Sequence, residues 1–312
     1  MVEYYKTIDG RITSVPAVCE GCWVNLIHPT SEELRQVTSA LHVEEDFIRA
    51  ALDPEESSRV ELEEDQILMI VDTPVVDSNG GSGGTQIFTT VPMAIIVMPS
   101  AVITVCLADT TVLRSITENN VKDVHTALKT RFVFQILLRV AGRFLKDLRL
   151  IERDFTRIER RLYDSLKNEE LIQLLGLSKS LVYFSASLKG NEVTMEKVLR
   201  GRILKLYEDD RDLLEDALIE IRQAIEMAGI YSNILSGTMD AYASVVSNNL
   251  NIIMKVLTVL TIIMTIPNIV FGFYGMNIQT GLPFDFIWFM PTLLAVLACG
   301  GAWYLLKLKN LL

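Results

Sequence analysis

Proline is absent from about 167 consecutive residues, between Pro99 and Pro267, in a chain of 312 residues that holds nine prolines in all. Proline costs about 3 kcal/mol inside a helix, so its exclusion marks a long and mostly helical region. Cysteine is scarce too, with only Cys19, Cys22, Cys106 and Cys299. The lone "CEGC" has no second cysteine pair and no nearby histidine pair to complete a zinc site, so these thiols read as reduced and structurally neutral. His28, His42 and His125 fit no metal spacing. No GxGxxG, P-loop or GxSxG pattern occurs, which leaves catalysis without residues to carry it.

Positive charge is in deficit: 29 Lys and Arg against 39 Asp and Glu leave a net charge of −10. That sign opposes nucleic acid as a partner and suits cations. The opening "MVEYYKTIDG" has neither a basic segment nor an apolar run, so no signal peptide is expected and the N-terminal part is expected to stay in the cytosol.

What is present divides the chain into three expected parts: an α/β cytoplasmic domain over 1–110, a helical region with a stalk helix over 111–250, and a two-span transmembrane domain over 251–309. In the first, "QILMIVDTPVV", "TQIFTTVPMAIIVM" and "AVITVCLA" are β-branched runs bounded by Pro, Gly or Asp, as strands are. "DSNGGSGG" reads as the flexible loop between the first two. "SEELRQVTSAL" and "VEEDFIRAAL" read as short helices, the first capped by Thr30 or Ser31. Helical periodicity is clear in "FQILLRVAGRFLKDLRLIERDFTRIERRLY", with breaks expected near Asn168 and Gly190. From Lys205 to Phe273 one unbroken helix would be roughly 100 Å long at 1.5 Å per residue, a stalk rather than part of a compact domain.

Val256 to Phe273 carries no charge, and Ile287 to Leu306 is a second such run; each meets the transmembrane criterion of roughly 18 residues or more. The alternative is a buried helical hairpin in a soluble protein. Lys255 precedes the first span and Lys307 and Lys309 follow the second, whereas the joining loop, at about 275–286, has only Asp285. The positive-inside rule then puts both termini in the cytoplasm and the loop outside, in a multi-pass protein of the cell membrane. Trp288, Trp303 and Tyr304 sit near the ends of the second span, as interfacial aromatics do.

The first span is not uniformly apolar. Asn251, Met254, Thr258, Thr261, Thr265, Asn268, Gly272 and Gly275 recur at steps of three and four, which puts them on one helix face. Small and polar residues of this kind line either a helix–helix contact or a water-filled path. Two spans cannot enclose a path alone, so the second reading requires a homo-oligomer.

"YGMN", Tyr274 to Asn277, stands at the outer end of the first of two C-terminal spans, and in that position it resembles the signature of the CorA family of magnesium transporters. "LSGTMDAYASVVSNNLNIIMKVLT", residues 235 to 258, is similar to that family's stalk-to-membrane segment. The resemblance covers the chain in layout and roughly 235 to 309 in motif. It implies a funnel-shaped homopentamer whose first spans surround the pore, with Gly275, Met276 and Asn277 at the outer mouth. Mg²⁺ dehydrates reluctantly, and a ring of Asn277 amides would hydrogen-bond its waters without stripping them. Asn251, Met254, Leu257, Thr258, Thr261, Thr265, Asn268 and Gly272 would line the pore, with Met254 and Leu257 as a hydrophobic constriction. Gly275 would allow close backbone approach at the mouth, and Pro267 with Gly272 would loosen the helix there.

The resemblance also implies regulatory divalent ions held between subunits by stalk and globular-domain acids. Counting back from "LSG", Asp216 falls at the stalk position, with Asp212 beside it and Asp77 as the partner from the α/β domain. Two features depart from the family: "IQTGLPF" lacks the acidic Met-Pro-Glu pattern, and Thr265 and Asn268 make the mid-pore more polar than a Met and Leu gate. The expected function is a passive Mg²⁺ channel or transporter, not an enzyme, closed by intracellular Mg²⁺. Co²⁺, Ni²⁺ or Zn²⁺ is the alternative cargo, though no His or Cys lines the stripe. A membrane-anchored ion sensor or scaffold is the alternative class.

Overall fold

The structure, a computed structural model, describes residues 1–77, 85–164, 168–201, 203–204, 207–275 and 290–308. Two units are compact in themselves, Met1–Ser236 and Gly237–Leu312.

The first unit is built on a seven-stranded sheet. Its strands are β1 (Val2–Ile8), β2 (Arg11–Ser14), β3 (Cys22–Ile27), β4 (Arg59–Glu63), β5 (Gln66–Val76), β6 (Phe88–Val97) and β7 (Ala101–Cys106). They lie in the order β2-β1-β3-β7-β6-β5-β4. Every pairing is antiparallel except β3 with β7. The three expected strands are β5, β6 and β7. β1 to β4 escaped the sequence reading, although Asp9-Gly10 is a hairpin signal. Both residues have positive φ, 49° and 76°, and Ile8 pairs with Arg11 across a two-residue turn. Pro74 and Pro92 sit inside strands, yet each lies beyond the residues that β4 or β7 pairs, where the missing N–H breaks no outer ladder.

Strand alternation sorts the core into two layers. Val24, Leu26, Leu68, Ile70, Ala94, Ile96, Ile103 and Val105 are buried with Val37, Leu41, Phe47 and Ile48 of α1 (Ser31–Leu41) and α2 (Glu45–Ala50). Thr30 caps α1 in a reciprocal box: its hydroxyl accepts from Glu33 N at 3.3 Å, and its own N–H donates to the Glu33 carboxylate at 2.8 Å. On the other face Trp23 packs on Phe132 (5.3 Å between centroids), and Phe184 packs on Phe88 (5.9 Å) and Phe144 (5.0 Å). These partners come from α4 (Lys129–Asp164) and α5 (Asn168–Gly201), with α3 (Thr111–Thr117) preceding them. Thr104 joins the buried polar groups of this layer, accepting from Trp23 Nε1 at 2.8 Å and donating to Asn25 Oδ1 at 2.9 Å.

The break expected near Asn168 borders residues 165–167, which lie outside the described ones, and α5 is helical from Asn168 onward. The break expected at Gly190 does not occur, because α5 runs through it to Gly201. Gly190 is there for contact. A Cβ would come within 3.1 Å of Ser58 Oγ, and the next residue, buried Asn191, exchanges two 2.8 Å hydrogen bonds with the backbone of Asp72. α6 (Glu208–Tyr274) begins in this unit and buries Leu214, Ala217, Leu218, Ile221, Ala224, Ala228 and Leu235 at helical spacing. Arg222 ties it to Glu192 (2.8 Å) and Glu196 (2.6 Å) on α5, and the Tyr231 hydroxyl donates to Glu152 of α4 at 2.8 Å.

The second unit holds the end of α6 and α7 (Met290–Leu308). Among the described residues three helices are apolar and long enough to cross a membrane, and burial separates them. In α5 the most apolar window is 44 % buried against the rest of the protein; in α6 and α7 it is 6 %. α5 is therefore a core helix, while α6 and α7 present Ile252, Ile253, Val256, Leu260, Ile269, Phe271, Val296 and Leu297 unburied, as lipid-facing or oligomer-facing spans do. Pro267 lies inside α6, and its missing N–H leaves Ile263 O without the usual helical donor. Cys299 of α7 supplies one, its thiol donating to that oxygen at 3.6 Å. At the far end of α7, Lys307 Nζ lies over the Trp303 ring, 5.2 Å from its centroid.

Candidate functional site

Helix geometry decides which way the polar stripe of α6 points. Val259 is buried and Ile263 meets Cys299, so these positions mark the side turned to α7. At about 100° per residue, the stripe from Asn251 to Gly272 is centred about 150° round the helix from them. The stripe is thus not the contact between α6 and α7. Asn251, Met254, Leu257, Thr258, Thr261, Thr265, Asn268 and Gly272 are all exposed in the single chain. Its N-terminal end borders a groove of about 430 Å³, whose lining Asn251, Met254 and Thr258 share with Leu306 of α7.

The threonines form a ladder. Thr258 Oγ1 donates to Met254 O at 2.7 Å, Thr261 Oγ1 to Leu257 O at 2.8 Å, and Thr265 Oγ1 to Thr261 O at 2.7 Å. This bonding to the carbonyl one turn back is how a hydroxyl is satisfied inside a helix in lipid. It has a chemical consequence. With the proton engaged by backbone, what each hydroxyl offers outward is an acceptor. Three acceptors, with Asn251 before them and Asn268 after, make an uncharged oxygen-bearing track. Such groups can take hydrogen bonds from the waters of a hard cation without competing for the metal itself.

At the C-terminal end of the stripe Gly275 N donates to Phe271 O at 2.8 Å, so the helical turn closes past Pro267. A Cβ on Gly275 would come within 3.1 Å of that same oxygen, whereas Gly272 has open space around it. Met276 and Asn277 lie outside the described residues, as does the rest of the stretch between the two apolar helices, with Asp285.

The acids expected to regulate are placed separately. Asp77 closes the base of the β5–β6 hairpin, its N–H donating to Ile87 O at 2.8 Å. Asp212 and Asp216 are exposed on α6. The rest of the acidic run is diverse: burial pushes the Asp210 carboxyl up, and Glu215 is tied to Arg211 at 2.9 Å. Among the described residues no group of three or more His, Cys, Asp or Glu side chains could hold a metal ion. The sequence reading missed the partly buried Glu220, one turn beyond Asp216. Burial and then the Asp216 charge push its pKa up, while Arg139 and Arg149 pull it down. The step of four from Asp216 was visible; the burial was not.

Residues 20–308 match the model of the family described as CorA-like Mg²⁺ transporter protein. Among characterised proteins, the chain is 26 % identical over 264 residues to the cobalt/magnesium transport protein CorA of Methanocaldococcus jannaschii, covering 82 % of this chain and 79 % of that one. It is 33 % identical over 133 residues to the protein of the same name from Thermotoga maritima, covering 38 % and 37 % of the two chains. Among solved structures, the complete CorA magnesium transporter of Methanocaldococcus jannaschii superposes with a TM-score of 0.83 at 22 % identity, over 98 % of this chain and 97 % of that one. That likeness extends the shared fold through both apolar helices.

Proposed function

The chain belongs to the CorA-like Mg²⁺ transporter family, and we infer from that membership and from α6 that it is a Mg²⁺ channel or transporter whose path runs along the polar face of α6. The observation that carries the path is the threonine ladder, turned away from α7 with its protons held by backbone. A face of acceptors in a span has to meet water or protein, since lipid offers no donors. A second copy of the same face meets that need by symmetry, and several copies around an axis enclose a hydrated path. A homopentamer is the assembly proposed for this chain.

Ions move passively, down their gradient and with the membrane potential, which attracts cations at about 2.3 kcal/mol per charge per 100 mV. Asn277 forms the outer ring with Gly275 and Met276, and Met254 with Leu257 narrows the inner end. The termini are cytoplasmic and the loop between the spans is outside, in keeping with Lys255 and Lys307 at the other ends of the helices. Intracellular Mg²⁺ closes the path by binding between subunits at Asp216, Asp212 and Asp77, through preferential affinity for the closed state. Co²⁺ is the second cargo. The two curated relatives are named for cobalt as well as magnesium transport, and water-shell contacts discriminate poorly among hydrated divalent ions. Purified protein in liposomes tests the reading directly: Mg²⁺ and Co²⁺ enter vesicles that contain it, and equal entry into protein-free vesicles would overturn it.

A further inference from the structure

A cavity of about 600 Å³ opens between α3, α4 and the cytoplasmic part of α6. Four cations line it, Arg114 from α3 and Arg139, Arg143 and Lys146 from α4, beside two acids, Glu118 and Glu220, in a chain whose net charge is −10. Arg143 is held by Asp147 at 2.8 Å, and Arg114 is paired with Asp109. Arg139 and Lys146 are exposed and make no ion pair among the described residues. They sit one helical step apart from Arg143 on each side, so the three cations present one face.

The opposite wall is Glu220 of α6. Gly142 lets it come close: a Cβ there would fall 3.2 Å from Glu220 Oε2. That oxygen is buried and has no hydrogen-bond partner among the described residues. A solvated basic face needs no concavity. Here the cations converge on a space of the size that small ligands occupy, and nothing in the ion path uses them.

We propose that this cavity binds a small polyphosphate-bearing anion, of the size of a nucleoside di- or triphosphate. Arg139, Lys146 and Arg114 hold the phosphate oxygens, where guanidinium forks and ammonium groups match them. Glu220 is a negative wall that limits how much anionic charge the site accepts. The site is separate from the ion path and is read by binding alone, so it stands or falls without transport.

The test is calorimetric titration of the full-length protein in detergent, with EDTA present, using tripolyphosphate and ATP as probes and AMP as the short comparison. Tripolyphosphate and ATP are expected to bind, and AMP to bind about tenfold more weakly or worse, since each lost charged hydrogen bond is worth about a decade. Arg139→Gln and Lys146→Gln each weaken ATP about tenfold, whereas Glu220→Gln, which keeps the shape and removes the negative charge, strengthens it. Arg153→Gln with Arg160→Gln, on the exposed basic face of the same helix, leaves binding unchanged. Absence of heat with both polyphosphates overturns the proposal. So does an equal loss in the Arg153 and Arg160 variant, which would reduce the effect to diffuse attraction, or weaker binding in Glu220→Gln.

Discussion

Thr261→Val asks whether the acceptor track carries ions. Valine replaces one hydroxyl by one methyl, so α6 keeps its volume and its apolar contacts. The bond lost on the protein side is Thr261 Oγ1 to Leu257 O, 2.8 Å, and that carbonyl remains inside a regular helix. The cost to each chain is about 1 kcal/mol or less, which leaves the fold in place. The loss on the ion side is different. A hydrated cation at this level forfeits one acceptor from every chain around it. At about 1 ± 0.5 kcal/mol per hydrogen bond, two such bonds made at once are worth roughly 1–3 kcal/mol. With a decade of rate for each 1.36 kcal/mol, uptake is expected to fall about 5- to 150-fold. The assay is Mg²⁺ uptake into proteoliposomes loaded with a fluorescent indicator, with assembly checked by gel filtration. Thr292→Val on α7, off the stripe, serves as the matched control and should be silent. Uptake within about twofold of the parent, in a Thr261→Val protein that assembles normally, would refute the reasoning.

Three further outcomes are expected. Asn277→Ala is expected to abolish Mg²⁺ uptake with the oligomer intact, since it would remove the proposed amide ring at the mouth; normal uptake by an assembled mutant would remove that role. Asp216→Ala, alone or with Asp77→Ala, is expected to shift Mg²⁺-dependent protection of the Met1–Ser236 unit from protease to higher Mg²⁺ while ion currents persist; an unchanged titration assigns both acids to the solvated surface. Asp147 is fully buried, and burial raises its carboxyl to about 6 against the pull of Arg143. A raised folded pKa means that the stability it allows is complete below about 4 and is lost as pH rises through about 6, a difference of roughly 3 kcal/mol. Asp147→Asn should therefore gain thermal stability over the parent between pH 5 and 7.5, and a gap that does not widen over that range would contradict the assignment.

Composition and local pattern were enough to determine the membrane spans, the long helical middle and the three β-branched strands. Each of these is a local property: an uncharged run, a missing proline, an alternation of Val and Ile between turn residues. The polar stripe was legible for the same reason, because a helix turns spacing directly into a face. Other features depend on what lies opposite. β1 to β4 are short or polar; β1 to β3 join the sheet because β3 finds β7 almost eighty residues later in the chain, with Cys22 paired to Ala101, and β4 is held by its pairing with β5. Gly190 looked like a break and proved to be a contact, since only packing against Ser58 explains it. Whether the stripe was an internal helix contact could not be decided before α7 was seen to lie against Val259 and Ile263. The cavity of Arg114, Arg139, Lys146 and Glu220 draws on helices more than a hundred residues apart, where no periodicity reaches. Sequence sets which face each segment shows; only the tertiary structure decides what that face meets, because burial and charge pairing are properties of two surfaces and not of one.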